Sequence, residues 1–122
     1  MTEREGPFDA VFAFECVHDM PDPVGVLAAM RRAAAPEGTV LVMDEKVADA
    51  FAPDGDEVEQ LFYGFSLMCC LPDGLSTPGS AGTGTVMRRS TLEEYARAAG
   101  FSSVEVLDDL DSDIFRFYRL HR

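Results

Sequence analysis

Two segments of this chain end in side chains that can move protons or hold a charged ligand. The first, Phe8-Asp9-Ala10-Val11-Phe12-Ala13-Phe14, runs directly into Glu15, Cys16, Val17, His18 and Asp19. The second, Gly38-Thr39-Val40-Leu41-Val42-Met43, ends in Asp44. Imidazole titrates near neutrality, so His18 is the group best suited to exchanging protons under ordinary conditions. In open α/β sheets, ligands and chemistry sit at the carboxyl ends of the strands. The spacing therefore becomes meaningful if both segments are strands of one sheet.

The elements between them say that they are. Asp9 to Phe14 is apolar on both faces, as a central parallel strand is. Asp22 is a good N-cap and Pro23 a good first helical residue. The helix they open runs to about Ala35 with Val24, Leu27, Met30 and Ala34 as its buried stripe, and Pro36-Glu37-Gly38 stops it. A strand, crossover helix and second strand make the two strands parallel. Further on, Val58, Leu61, Phe62, Phe65 and Met68 follow a helical period that Leu71-Pro72-Asp73-Gly74 ends. At this spacing Phe62, Phe65 and Met68 are expected to pack in the core. Ser76 to Gly84 reads as a loop. Its Gly82-Thr83-Gly84-Thr85 lacks the preceding strand and the GK[ST] ending of a phosphate cradle. Ser90-Thr91-Leu92-Glu93 is the pattern of a capping box. The helix after it buries Leu92, Tyr95 and Ala99 and ends at Gly100. Ser103 to Leu107 and Ile114 to Leu120 flank the acidic turn Asp108 to Asp113, and so short a link makes an antiparallel hairpin.

Composition narrows the function classes. The chain has 122 residues, enough for one domain with a modest core. Its net charge of −12 repels a phosphate backbone, which argues against nucleic acid and anionic membrane as partners. No apolar run reaches transmembrane length and the N-terminus has no signal-peptide core, so a cytoplasmic location is expected. Cys16, Cys69 and Cys70 show neither CxxC nor zinc spacing and read as small buried hydrophobes. With only His18 and His121 available, no histidine-based metal cluster is expected.

The order strand, helix, strand, helix, helix, strand, strand resembles the C-terminal half of class I S-adenosylmethionine-dependent methyltransferases. Phe8 to Met20 looks like the fourth strand and its loop, and Gly38 to Asp44 like the fifth. The terminal hairpin looks like the last two strands, the final one inserted antiparallel beside the fifth. Thr83-Gly84-Thr85-Val86-Met87-Arg88, with Leu92, Tyr95 and Ala99-Gly100-Phe101, is similar to a bacterial subgroup of small-molecule methyltransferases. The resemblance implies an α/β, Rossmann-like sheet of two parallel strands and a terminal antiparallel hairpin with flanking helices. It covers residues 1–122 as a partial methyltransferase domain without the N-terminal cofactor-binding half. The glycine-rich loop and the ribose-binding acid of that family would lie before Met1, and Thr2 to Pro7 cannot replace them. The expected form is a truncated product, a fragment or one part of a split enzyme.

The same resemblance implies roles. His18 matches a general base that takes a hydroxyl proton as the methyl group moves. Asp44 matches the acid that orients it. The alternative for His18 is a structural brace of its loop. Phe14, Glu15 and Cys16 lie where the family's strand runs along S-adenosylmethionine, and Tyr63 and Met68 lie in the region covering the acceptor. Arg88 and Arg89 are read as pairing with the acidic surface. Two functions follow: methyl transfer to a small molecule within a longer or split enzyme, or a catalytically inactive fragment that self-associates through the strand edge the missing half would cover. A nicotinamide-dependent enzyme is disfavoured, since the antiparallel hairpin is a methyltransferase feature and no Tyr-x-x-x-Lys pair is present.

Overall fold

The computed structural model describes residues 6–110 and 112–122. Residues 1–5 of the polar N-terminal segment and Asp111 of the acidic turn lie outside them. Strand β1 spans Phe8–Phe14, helix α1 Pro23–Ala33 and strand β2 Ala34–Glu45. Helix α2 spans Glu57–Phe65, α3 Leu71–Leu75 and α4 Arg89–Ala98, followed by β3 (Ser103–Val106) and β4 (Phe115–His121). The four strands form one sheet in the order β1-β2-β4-β3. β1 and β2 are parallel, and β4 is antiparallel to both of its neighbours. This is the expected α/β arrangement, with the last strand inserted beside the second.

Local chemistry explains the first crossover. Asp22 Oδ1 accepts from Gly25 N at 2.8 Å, and Pro23 follows at the first helical position. Leu27 and Met30 turn inward from α1. The helix ends at Ala33, and β2 begins immediately, before Pro36-Glu37-Gly38 rather than after it. Gly38 permits this early pairing. A Cβ there would lie 2.8 Å from Phe8 O, and the register shifts between Phe8 and Ala10. α4 also starts without the expected capping box. Its N-cap is Arg88 with no side-chain cap, and Glu93 instead accepts from Arg89 Nε at 2.7 Å. Its C-terminus is as predicted. Gly100 N donates to Arg97 O and Phe101 N to Ala96 O, a Schellman closure with Gly100 at φ +93°.

The core lies on one face of the sheet. Ala13, Val40, Val42, Tyr118 and Leu120 meet Leu27, Met30, Leu92, Ala96 and Phe101. The opposite face of β1 is open, with Phe12 and Phe14 stacked on each other at 5.5 Å and both more than half exposed. β1 thus has the composition of a central strand and the position of an edge strand. The α2 region departs most from its periodicity. Phe62 is buried, but Phe65 and Met68 are exposed, Met68 at 81%. The helical path does not end at Leu71 either. It passes through a wide π turn, Ser66–Cys70, into α3. The cysteines are not buried hydrophobes: Cys16 and Cys70 are half-buried and Cys69 is exposed. No described helix is long and apolar enough to cross a membrane.

Candidate active site

The site is built where β1 and β2 end. Glu15 terminates β1 at φ +48°, in the left-handed region that residues with a side chain enter rarely and at a cost. Its N–H still donates to Met43 O at 2.9 Å. The chain then forms a single 3₁₀ turn, Val17–Asp19, that buries Val17 in the core and His18 beside it. The glycine-rich loop holds this turn in place, with Gly84 N donating to His18 O at 3.1 Å. Gly84 sits at φ +74°, and a Cβ there would lie 2.3 Å from Ser66 Oγ, so only glycine fits.

β2 delivers two carboxylates to the same imidazole. His18 Nδ1 lies 2.6 Å from Asp44 Oδ1 and 3.2 Å from Glu45 Oε2, while Nε2 lies 3.2 Å from Asp19 Oδ1. His18 and Asp44 are 3% and 1% exposed. Burial alone would pull the imidazole down, but the hydrogen bond to Asp44 and the charges of Asp44 and Glu45 beside it outweigh that and push it up to about 11. Burial carries the Asp44 carboxyl well above its usual range. Burial pushes Glu45 up as well, but the imidazole and Asp44 outweigh that and hold it low. The three groups titrate as a unit. At neutral pH the ring holds its proton, and the 2.6 Å contact is a charge-assisted hydrogen bond. One imidazole nitrogen and two carboxylate oxygens also lie within 4.8 Å of one another, a ligand set that counting histidines overlooks.

The cluster is not fully satisfied. Asp44 Oδ2, Glu45 Oε2, Asp19 Oδ1 and Thr85 Oγ1 are buried without a hydrogen-bond partner among the described residues. For Glu45 and Asp19 the approach to the ring is a charge contact rather than an aligned hydrogen bond. Beside the cluster opens a pocket of about 330 Å³. Glu15, His18, Asp19, Glu45 and Thr85 form its polar wall. Phe62, Phe65, Cys70, Ile114 and Phe115 form its apolar wall. The π turn brings Cys70 to this wall, and such turns recur at functional sites.

The structure brings together His18, Asp44 and Glu15 from the sequence analysis. Phe14 is half exposed at the open strand end, and Cys16 packs partly against the core. Burial and the nearby Asp44 charge raise the Cys16 thiol, which keeps it protonated. Tyr63 and Met68 are not brought to this pocket. Tyr63 OH accepts from Arg88 Nη2 at 2.8 Å and its ring packs edge-on to Phe51, while Met68 points outward. Arg88 pairs with a buried carboxylate, Glu59, at 2.9 Å rather than with the surface. Sequence reasoning missed Glu45, Asp19 and Thr85 as pocket groups. The one available signal was the acid pair Asp44-Glu45 at a strand end. Side-chain alternation argues against both reaching one partner.

Comparison with known proteins bears on the fold that carries this site. The family described as a methyltransferase domain matches residues 1–42. No curated protein matches the sequence. Solved structures of methyltransferases match nearly the whole chain. PigF with SAH aligns with a TM-score of 0.63 at 18% identity, covering 96% of this chain and 31% of that one. A putative O-methyltransferase from Nostoc punctiforme PCC 73102 aligns with a TM-score of 0.63 at 20% identity, covering 98% and 33%. The trans-methyltransferase CalH in complex with SAH aligns with a TM-score of 0.59 at 21% identity, covering 94% and 29%. The fold is that of part of the methyltransferase domain in these structures. The chain spans about a third of the length of the solved structures it matches.

Proposed function

We propose that this chain is the acceptor-side portion of an S-adenosylmethionine-dependent methyltransferase acting on a small molecule with a hydroxyl group, within a longer or split enzyme. The observation that carries the reading is the buried His18–Asp44 pair beside a largely apolar pocket, at the carboxyl edge of a methyltransferase-type sheet. The described residues fit one wall of a cofactor site. Phe14, Glu15 and Cys16 stand at the open end of β1. Among the described residues, the left-handed glycine that reaches this edge is Gly84, and its N–H is already taken by His18 O.

When bound, the cofactor supplies the methyl group. The residues of this chain position the acceptor and hold its proton. Phe62, Phe65 and Phe115 offer it an apolar wall, and placement of the reactants supplies much of the acceleration in an in-line displacement. Asp19 covers Nε2, and its side chain is 38% exposed, so an acceptor hydroxyl can take its place. The ring must first give up its Nε2 proton. Losing the Asp19 contact weakens its hold, and the departing Asp19 carboxylate or solvent takes the proton. Nδ1–H stays on Asp44. The hydroxyl proton then passes to Nε2 as the oxygen attacks.

The test is methyl transfer from radiolabelled S-adenosylmethionine to small phenols, run on this chain alone and on the chain expressed with its upstream coding sequence. The isolated chain should bind the cofactor weakly or not at all by calorimetry, and the extended protein should transfer methyl groups. A micromolar dissociation constant for the isolated chain would overturn the divided architecture. Absence of transfer by the extended protein would overturn the activity.

The open β1 edge favours a second reading, an inactive fragment that self-associates. A long apolar edge strand invites pairing. Sedimentation over a concentration series decides it, since a monomer at all concentrations rules self-association out.

A further inference from the structure

The charge of the pocket goes beyond the reading above and specifies the acceptor. Glu15, Asp19 and Glu45 line one side, and buried Asp44 stands behind them. Among the described residues, the only cationic group in the lining is His18, its two ring nitrogens already engaged by carboxylates, and no lysine or arginine lines the pocket. The opposite wall carries the rings of Phe62, Phe65 and Phe115. Aromatic faces attract cations, and carboxylates at the rim of an apolar pocket select for positive charge. A further observation points to a ligand. Thr85 lines the pocket, is 2% exposed, and its Oγ1 has no hydrogen-bond partner among the described residues. A buried hydroxyl left unpaired is costly, and a polar group of a ligand in the pocket would satisfy it.

We infer that the acceptor is an organic cation, an amine-bearing molecule with an aromatic or aliphatic body. Its ammonium group lies toward Glu15 and Asp19, and its body lies against the phenylalanine rings. The inference rests on the proposed methyltransferase reading for the word acceptor. The binding preference itself does not require methyl transfer, so the two fail separately.

Three phenols of similar size isolate the charge: tyramine (cationic), p-cresol (neutral) and 4-hydroxyphenylacetate (anionic). Their binding to the full chain is measured by ligand-observed NMR titration. Tyramine should bind at least about tenfold more tightly than p-cresol, a difference of about 1.4 kcal/mol, and 4-hydroxyphenylacetate should bind more weakly still. Glu15→Gln and Asp19→Asn should each weaken tyramine about threefold or more relative to p-cresol. A loss that shrinks at high salt, where the attraction is screened, would support the charge argument. Equal binding of the three phenols, preference for the anion, or no binding at millimolar concentration would overturn the inference. A second pair, S-adenosylmethionine and its neutral thioether S-adenosylhomocysteine, separates the sources of positive charge. Discrimination within that pair but not among the phenols would assign the carboxylates to the sulfonium and overturn the proposal for the acceptor.

Discussion

Two buried ionic clusters in this molecule use similar chemistry to different ends. In one, Arg88 Nη2 donates to Glu59 Oε1 at 2.9 Å and to Tyr63 OH, and Nη1 donates to Ala48 O. Glu59 Oε2 accepts from Ala48 N at 2.9 Å. Neither Arg88 nor Glu59 leaves a buried atom unpartnered. This network ties α2 to the segments before α4 and after β2, and it is closed. In the other, His18 gathers Asp19, Asp44 and Glu45, and three of those carboxylates keep an oxygen without a hydrogen bond beside an open pocket. A satisfied buried network rigidifies a fold, and an unsatisfied one is costly unless something else completes it. The contrast marks the Arg88 network as a brace and the His18 cluster as the candidate site.

The largest expected effect breaks the two clusters apart by activity. In the complete enzyme, His18→Ala should lower turnover by roughly 10²–10⁴, the usual worth of a general base, and leave cofactor affinity nearly unchanged. Asp44→Asn should lose less, because it orients the ring without touching the acceptor. Arg88→Ala should reduce turnover only as far as it reduces the amount of folded protein. If His18→Ala keeps near-normal turnover while its melting temperature falls, both clusters are braces.

Stability sharpens the same contrast. Glu59 is almost fully buried, and removing its partner leaves a charged oxygen unpaired. Arg88→Ala should therefore cost about 3 kcal/mol in urea unfolding at neutral pH. A loss within experimental error would show that the network holds nothing together.

The smallest effect is a pH signature. The folded-state affinity of His18 for its proton is raised, and its unfolded value is about 6.5. Its stabilisation is thus fully present below pH 6.5 and is lost as pH rises through the folded value near 11. The difference in unfolding free energy between the native chain and His18→Gln should shrink steadily across that window, whereas the native-minus-Arg88→Gln difference should stay flat. A pH-independent His18 difference would mean that the ring is neutral in the fold.

How much of this was legible differs by element. The first crossover was, because Asp22-Pro23 and the Leu27–Met30 stripe act locally. The C-terminal hairpin was, because the short acidic turn admits one topology. The helix of residues 57–75 was misread, because a 3.6-residue period records one apolar face but not whether anything covers it. Phe65 lines the pocket and Met68 faces outward instead of packing in the core, and the π turn at Ser66–Cys70 shifts the phase of everything after it. The capping-box pattern at Ser90 was present, yet the helix began two residues earlier, with Arg88 as its N-cap, and paired Arg89 with Glu93 instead.

The residues alone determined the class of sheet, its parallel pair and terminal hairpin, and the placing of His18 and Asp44 at the same edge, whereas the insertion of the last strand came from the resemblance. Those follow from short-range rules: caps, turns, hydrophobic alternation and the handedness of a crossover. Only the tertiary structure decided that Glu45 joins Asp44 on one imidazole, that Tyr63 serves Arg88, and that Thr85 and Phe115 close the pocket. Each of these joins segments tens of residues apart. Such meetings depend on how packed elements settle against one another, which no local pattern encodes.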